Sequence, residues 1–139
     1  MAYWLFKTEP ETFSWEMQKS RGAKGEPWSG VRNFQAAKNM KAMKRGDFGF
    51  FYHTGEEKRI VGIVEVIGEY RPDPTDETKR FGLVDVKAVK DVRAPVTLAA
   101  IKADPKLKEM TLVKYSRLSV QPVTPEEWKY VLKMADMDT

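Results

Sequence analysis

The residues best placed by type and spacing to do chemistry lie in one stretch, Trp28-Ser29-Gly30-Val31-Arg32-Asn33-Phe34-Gln35-Ala36. An indole offers a flat π-face. The Ser29-Gly30 turn lets backbone N–H groups come close to a ligand. Arg32 and Asn33 stand where a helix running to Lys44 is expected to open, and a helix start favours anions because its first N–H groups lack partners. Aromatic, cation and amide together can hold a planar, hydrogen-bonding ligand such as a nucleobase. The same residues also admit a plainer reading, with Trp28 and Phe34 as core anchors and Arg32 paired to a carboxylate. A second polar group, Lys7-Thr8-Glu9, ends an aromatic strand just before Pro10. Strand ends are where sites are often built, though an ordinary polar strand exit looks the same.

Composition narrows the chemistry. The 139 residues include no cysteine and one histidine, His53. Disulfides, thiolate catalysis, zinc fingers and multi-histidine metal sites are thereby excluded; a carboxylate-only Mg²⁺ site stays open, but no cofactor is expected. A net charge of +4 and a pI near 9.2 suit an anionic partner. The longest apolar run, Ala2 to Phe6, is too short to cross a bilayer and has no signal-peptide flanks, so a soluble cytoplasmic protein without a membrane partner is the expectation; the sequence leaves the oligomeric state open, with a monomer favoured. The length suggests one domain, residues 1–139.

The elements that must position these residues follow from pattern. Ala2–Phe6 predicts a first strand. Thr12 or Ser14 caps a short helix through Lys19, to which Trp15 and Met17 give apolar surface. Phe34, Ala37, Met40 and Met43 recur at three-residue steps and predict a helix over 31–44. Lys38, Lys41 and Lys44 share that spacing one residue further round, a solvated face or a phosphate contact. Strands are expected over 47–53, 60–70 and 81–89, with Gly62 and Gly68 marking bends or bulges that let a sheet curl. The stretch 72–76 excludes regular structure. Thr97 caps a helix through Ala103, which Asp104-Pro105 ends. A loop and strand follow over 115–121. Thr124-Pro125-Glu126-Glu127 forms a capping box, and Trp128, Val131, Leu132 and Ala135 share one helix face. Five or six strands with three or four short helices give an α+β protein, most simply a small curled sheet or barrel decorated with helices.

Several motifs occurring in order resemble the EVE domain family of the PUA-like superfamily. They are Tyr3-Trp4-Leu5-Phe6-Lys7-Thr8-Glu9-Pro10, Trp28 to Ala36, Phe51-Tyr52-His53-Thr54, Ile60-Val61-Gly62-Ile63, Tyr70-Arg71-Pro72-Asp73-Pro74 and Ser116 to Val123. Thr8 stands where the family more often has Ser, and Phe34 where Tyr is common. The resemblance implies a PUA-like pseudo-barrel of about five or six strands, related to YTH and ASCH domains. It implies a non-catalytic reader of modified bases, modified cytosine among them, in DNA or RNA; bacterial members are associated with RNA modification or restriction of modified DNA. The expected base pocket is Lys7, Thr8, Glu9, Trp28, Gly30, Val31, Asn33, Tyr52, Leu118 and Ser119, with Trp28 and Tyr52 stacking and Trp15 a weaker candidate. Arg32, His53, Lys114 and Arg117 are the candidates for phosphate or sugar. Two other functions stay open at this point. One is an ASCH-like enzyme or accessory factor acting on RNA or nucleotides, with Glu9 and Lys7 as an acid/base pair. The other is a protein-interaction domain docking through an exposed sheet face.

Overall fold

A computed structural model describes residues 1–137. Among them, strands β1 (Tyr3–Thr8), β2 (Glu26–Pro27), β3 (Phe48–His53), β4 (Arg59–Pro72), β5 (Gly82–Thr97) and β6 (Val120–Val123) form one sheet in the order β2-β5-β4-β3-β1-β6. Only β1 and β3 run parallel; the other neighbours are antiparallel. Helices α1 (Trp15–Ser20) and α2 (Phe34–Lys41) precede β3. Helices α3 (Leu98–Ala103), α4 (Thr111–Lys114) and α5 (Pro125–Met134) follow β5 in the chain.

Strand alternation divides the aromatic first strand between two cores. Leu5 joins Phe50, Tyr52 and Ile60 on one face, under Ile101, Leu112, Trp128 and Val131. Trp4 and Phe6 join Phe51, Val64 and Val84 on the other, under Trp15, Trp28, Ala36 and Met40. Trp128 stacks on Phe50 at 4.0 Å and Tyr3 at 4.5 Å between ring centroids, which fastens α5 to the first face. The capping box that starts α5 has both reciprocal bonds, Glu127 N–H to Thr124 Oγ1 and Thr124 N–H to Glu127 Oε1. A cap of this kind is worth about 1 kcal/mol.

The expected pseudo-barrel is not formed. The edge strands β2 and β6 lie at opposite ends of the order and do not pair, so the sheet is open. A barrel buries one face by closing around it. Here helices and loops cover both faces, and closure has nothing left to bury. The glycines do mark irregular pairing, with register shifts at Ile60/Gly62 and Val66/Gly68. Their task is close approach: a Cβ on Gly62 would run into the Trp15 ring, and one on Gly68 into Asp85.

Element bounds differ from expectation: β1 runs on to Thr8 and β6 covers only Val120–Val123, and two larger differences have plain causes. The helix predicted over 31–44 begins at Phe34 and ends at Lys41, because Asn33 takes the cap position and its Oδ1 accepts from Ala36 N–H at 2.9 Å. The strand predicted over 81–89 continues to Thr97, paired with β4 along most of its length. Of the two caps considered for α1, Ser14 is the one used.

Candidate nucleic-acid interface

Past β2, Trp28 N–H continues the ladder by donating to the Val84 carbonyl at 2.8 Å. This lays the indole on the second face of the sheet. Its ring meets Phe6 at 5.2 Å, Phe51 at 5.7 Å and Phe13 at 6.1 Å, each close to edge-on. Trp28 is 8% exposed, so it is a core anchor. It also walls a cavity of about 450 Å³. The residue is thus packed in the core and faces the cavity at once.

Around that cavity the structure brings together Lys7, Thr8, Trp28, Gly30, Val31 and Ser119 from the ten residues expected at a base pocket. The end of β1 supplies Lys7 and Thr8. Lys7 N–H donates to the Ser119 carbonyl at 2.9 Å, which draws Ser119 to the same end. The Lys7 ammonium donates to the Ser116 carbonyl at 2.7 Å and lies 5.8 Å from the Tyr52 ring; burial pushes its pKa down. Thr8 Oγ1 donates to the Phe13 carbonyl at 2.9 Å, and the Glu9 carbonyl accepts from Thr12 and Phe13 N–H. That turn folds Thr12 and Phe13 back over the cavity. Met17 and Arg21 complete this wall, and Arg21 pairs with Glu26 at 2.8 Å.

The four others lie elsewhere. The Glu9 side chain is exposed outside the cavity, and among the described residues no ion pair joins it to Lys7. Tyr52 is buried on the opposite face of the sheet from Trp28, and burial pushes its phenol up to about 12. Asn33 and Leu118 line a neighbouring groove with Tyr115 and Arg117, and the Asn33 carbonyl oxygen is engaged as the α2 cap. Trp15 is buried, its indole N–H donating to Asp91 at 2.6 Å.

Among the four cation candidates, Arg117 is exposed and Lys114 pairs with Glu109 at 3.2 Å. Arg32 bonds to Asp73 at 3.1 Å. His53 is 7% exposed, and both ring nitrogens are engaged: Nε2 accepts from Trp15 N–H at 3.0 Å and Nδ1 faces Glu57 at 2.9 Å. An accepting Nε2 leaves the proton on Nδ1, which then donates to Glu57. His53 therefore holds the start of α1 and leaves no nitrogen for a phosphate.

Sequence reasoning missed Asp73. Its buried carboxylate accepts from Gly30 N–H at 2.8 Å, from Arg32, and from both the N–H and hydroxyl of Thr75. Burial alone would raise its pKa. The hydrogen bonds from Thr75, Gly30 and Arg32 outweigh that and hold it at about 2. This carboxylate fixes the turn in which Gly30 adopts a φ of +83°, a conformation open to glycine. The signal was present in Tyr70-Arg71-Pro72-Asp73-Pro74, but not the partner across 43 residues.

Comparison with known proteins agrees with this architecture. The model of the EVE domain matches residues 2–134. Thymocyte nuclear protein 1 of Gallus gallus is 36% identical over 166 residues, covering 96% of this chain and 69% of its own. A crystal structure of an Agrobacterium tumefaciens protein superposes with a TM-score of 0.96 at 53% identity, over 99% of this chain and 94% of that one. The human THYN1 protein, crystallised in complex with DNA containing 5-methylcytosine, superposes with a TM-score of 0.91 at 32% identity over 100% of both chains. Relatives of this chain carry the name thymocyte nuclear protein 1, which places those proteins in the nucleus, so the cytoplasmic location expected above does not stand; net charge and hydropathy carry no compartment address. With the match spanning nearly every described residue, and relatives above 30% identity covering 96% or more of this chain, the chain belongs to the EVE domain family.

Proposed function

We propose that the chain, acting as a single domain, is a non-catalytic reader of DNA that takes a modified cytosine, extruded from its strand, into the cavity beside Trp28. The observation that carries this is the cavity's make-up. Its volume of about 450 Å³ lies in the roughly 300–1,000 Å³ range of small-ligand sites. An aromatic wall of Trp28 and Phe13 is faced by the polar groups of Lys7, Thr8, Ser29 and Ser119. Such a lining can recover the few kcal/mol lost on unstacking a base, through aromatic contact and edge hydrogen bonds. The DNA-bound human relative supports the same reading. Arg117, exposed in the neighbouring groove, and Arg32 at the rim would meet the strand on either side.

A 5-methyl group adds about 0.8 kcal/mol when buried, or roughly fourfold in affinity. The test is fluorescence anisotropy with labelled duplexes that differ only in one 5-methylcytosine, for the native chain and for Ser119→Phe, which plugs the cavity from its polar side. The expected result is tighter binding of the methylated duplex, lost in Ser119→Phe at unchanged melting temperature. Equal affinity for both duplexes refutes the reading.

A further inference from the structure

Beside the cavity rim lies a second feature that the pocket does not use. Phe34, the first residue of α2, is 64% exposed. Its ring lies 4.8 Å from the buried Phe81 at an interplanar angle of 32°. The Arg80 guanidinium sits 5.8 Å from the Phe34 ring and 5.9 Å from the Phe81 ring. Arg80 makes no ion pair among the described residues.

This patch is built. Asp76, 7% exposed, accepts from the N–H and hydroxyl of Thr78, from Arg80 N–H and from Phe81 N–H at 2.6–2.9 Å. Asp76 N–H in turn donates to the Asp73 carbonyl at 3.0 Å, and Asp73 N–H to the Phe81 carbonyl at 3.1 Å. Residues 73–81 are thus a strap with two buried carboxylates. One end fixes Gly30 and Arg32 at the cavity; the other fixes Arg80 and Phe81 under Phe34. Arg32 joins the two places, with its guanidinium on Asp73 and 5.9 Å from the Phe81 ring.

We propose that Phe34 and Arg80 form a stacking platform for the nucleobase next to the one held in the cavity, an inference that rests on the reader function above. An exposed ring flanked by a guanidinium accepts any base through its π-face, while the cation favours the polyanion. The patch is one exposed ring beside the Arg80 guanidinium, with Lys38 one helical turn on from Phe34, too small and too polar for the apolar centre of a protein–protein contact. Arg32 links it to the cavity: it shares the Asp73 carboxylate with Gly30 and lies 5.9 Å from the Phe81 ring. The platform makes no demand on base identity, so it adds affinity without adding sequence preference.

The experiment is an abasic scan. Anisotropy titrations use the native chain, Phe34→Ala and Phe34→Tyr. The oligonucleotides carry one 5-methylcytosine with an intact neighbour or an abasic site on the 5′ or the 3′ side. Loss of the platform is expected to cost the native chain roughly tenfold at one of the two abasic positions. Phe34→Ala loses as much on the intact oligonucleotide and nothing further on that abasic one. Phe34→Tyr keeps native affinity. Because Phe34 is exposed, the melting temperature of each variant stays native, which separates lost contact from lost fold. Equal affinities of Phe34→Ala and the native chain, or losses that add instead of overlapping, overturn the platform while the reader function stands. A native chain that ignores 5-methylcytosine overturns the reader function and the platform with it.

Discussion

Trp28→Ala should unfold this protein more than it unbinds it. The side chain is 8% exposed and meets Phe6, Phe51 and Phe13. Burying an indole removes roughly 150–250 Å² from water, which at about 25 cal/mol/Å² is about 4–6 kcal/mol. Measured Trp→Ala losses in cores run at about 3–5 kcal/mol. A domain is stable by only about 5–15 kcal/mol, so the variant loses a large share of its total. For a chain of this size each kcal/mol moves the melting point by about 4 °C, giving an expected fall of roughly 12–20 °C. Trp28→Phe keeps a ring against Phe6 and Phe51 and should fall by less than half as much. The assay pairs thermal unfolding, followed by near-ultraviolet circular dichroism, with anisotropy titration of the folded Trp28→Phe protein. A Trp28→Ala protein that melts where the native chain does would refute the packing argument. Native affinity in Trp28→Phe would refute the indole's part in the pocket.

Three further outcomes follow from named contacts. Asp73→Asn is expected to be less stable than the native chain at neutral pH. Its folded carboxyl sits at about 2, below the unfolded value near 4. The stability it contributes is therefore fully present above about pH 4 and is lost as the pH falls toward 2. Urea unfolding across that window should show the gap to Asp73→Asn closing, and a gap of constant size would sink the assignment. His53→Ala leaves the buried Trp15 N–H without its acceptor, a loss of about 1–3 kcal/mol seen as a lower melting temperature. The salt dependence of its DNA affinity should match the native chain, because no phosphate contact has gone; a shallower slope would place His53 on the strand after all. Gly62→Ala drives a methyl into the buried Trp15 ring and should cost about 1–3 kcal/mol in chemical denaturation. Native stability there would mean that Trp15 does not lie over β4.

The local signals were legible in the sequence because their causes are local. Ser14, Thr97 and the Thr124–Glu127 pair each cap the helix that follows, within three residues of the bond they make. The Ala37 and Met40 spacing likewise marked a buried helix face, although Phe34 of the same run is exposed. What stayed hidden depends on which sheet face a segment lands on. Lys7 and Thr8 are adjacent, yet alternation sends their side chains to different partners, Ser116 and Phe13. Tyr52 and Phe51 are adjacent too, and only the docking of the Trp28 loop on the Phe51 side puts the cavity on that face of the sheet and leaves Tyr52 on the other. The barrel expectation failed for a related reason. A glycine that bends a sheet toward closure and one that admits an overlying tryptophan leave the same mark in a strand. The bonds of His53 were not legible because a loop histidine and a histidine holding the start of a distant helix read alike until Trp15, 38 residues away, is brought to it.

The site is thus the place where the second core stops, and this couples binding to stability. The Trp28 loop adds only the two residues of β2 to the sheet edge. Beyond that it is held by the Val84 carbonyl and by Asp73. A base bound against Trp28 interacts with the loop only when the loop is closed, so it stabilises the folded chain by RT ln(1 + [L]/Kd). At a hundredfold excess over Kd that is about 2.7 kcal/mol. Ligand and carboxylate therefore act on the same closed loop. Weakening the clamp should lower the affinity by the fraction of molecules whose loop is open. Asp73→Asn, which touches no atom of the ligand in this arrangement, should accordingly bind methylated DNA more weakly while keeping its preference over the unmethylated strand. A loss of preference at native affinity would place Asp73 in the pocket itself and refute the division between the residues that shape the loop and those that meet the base.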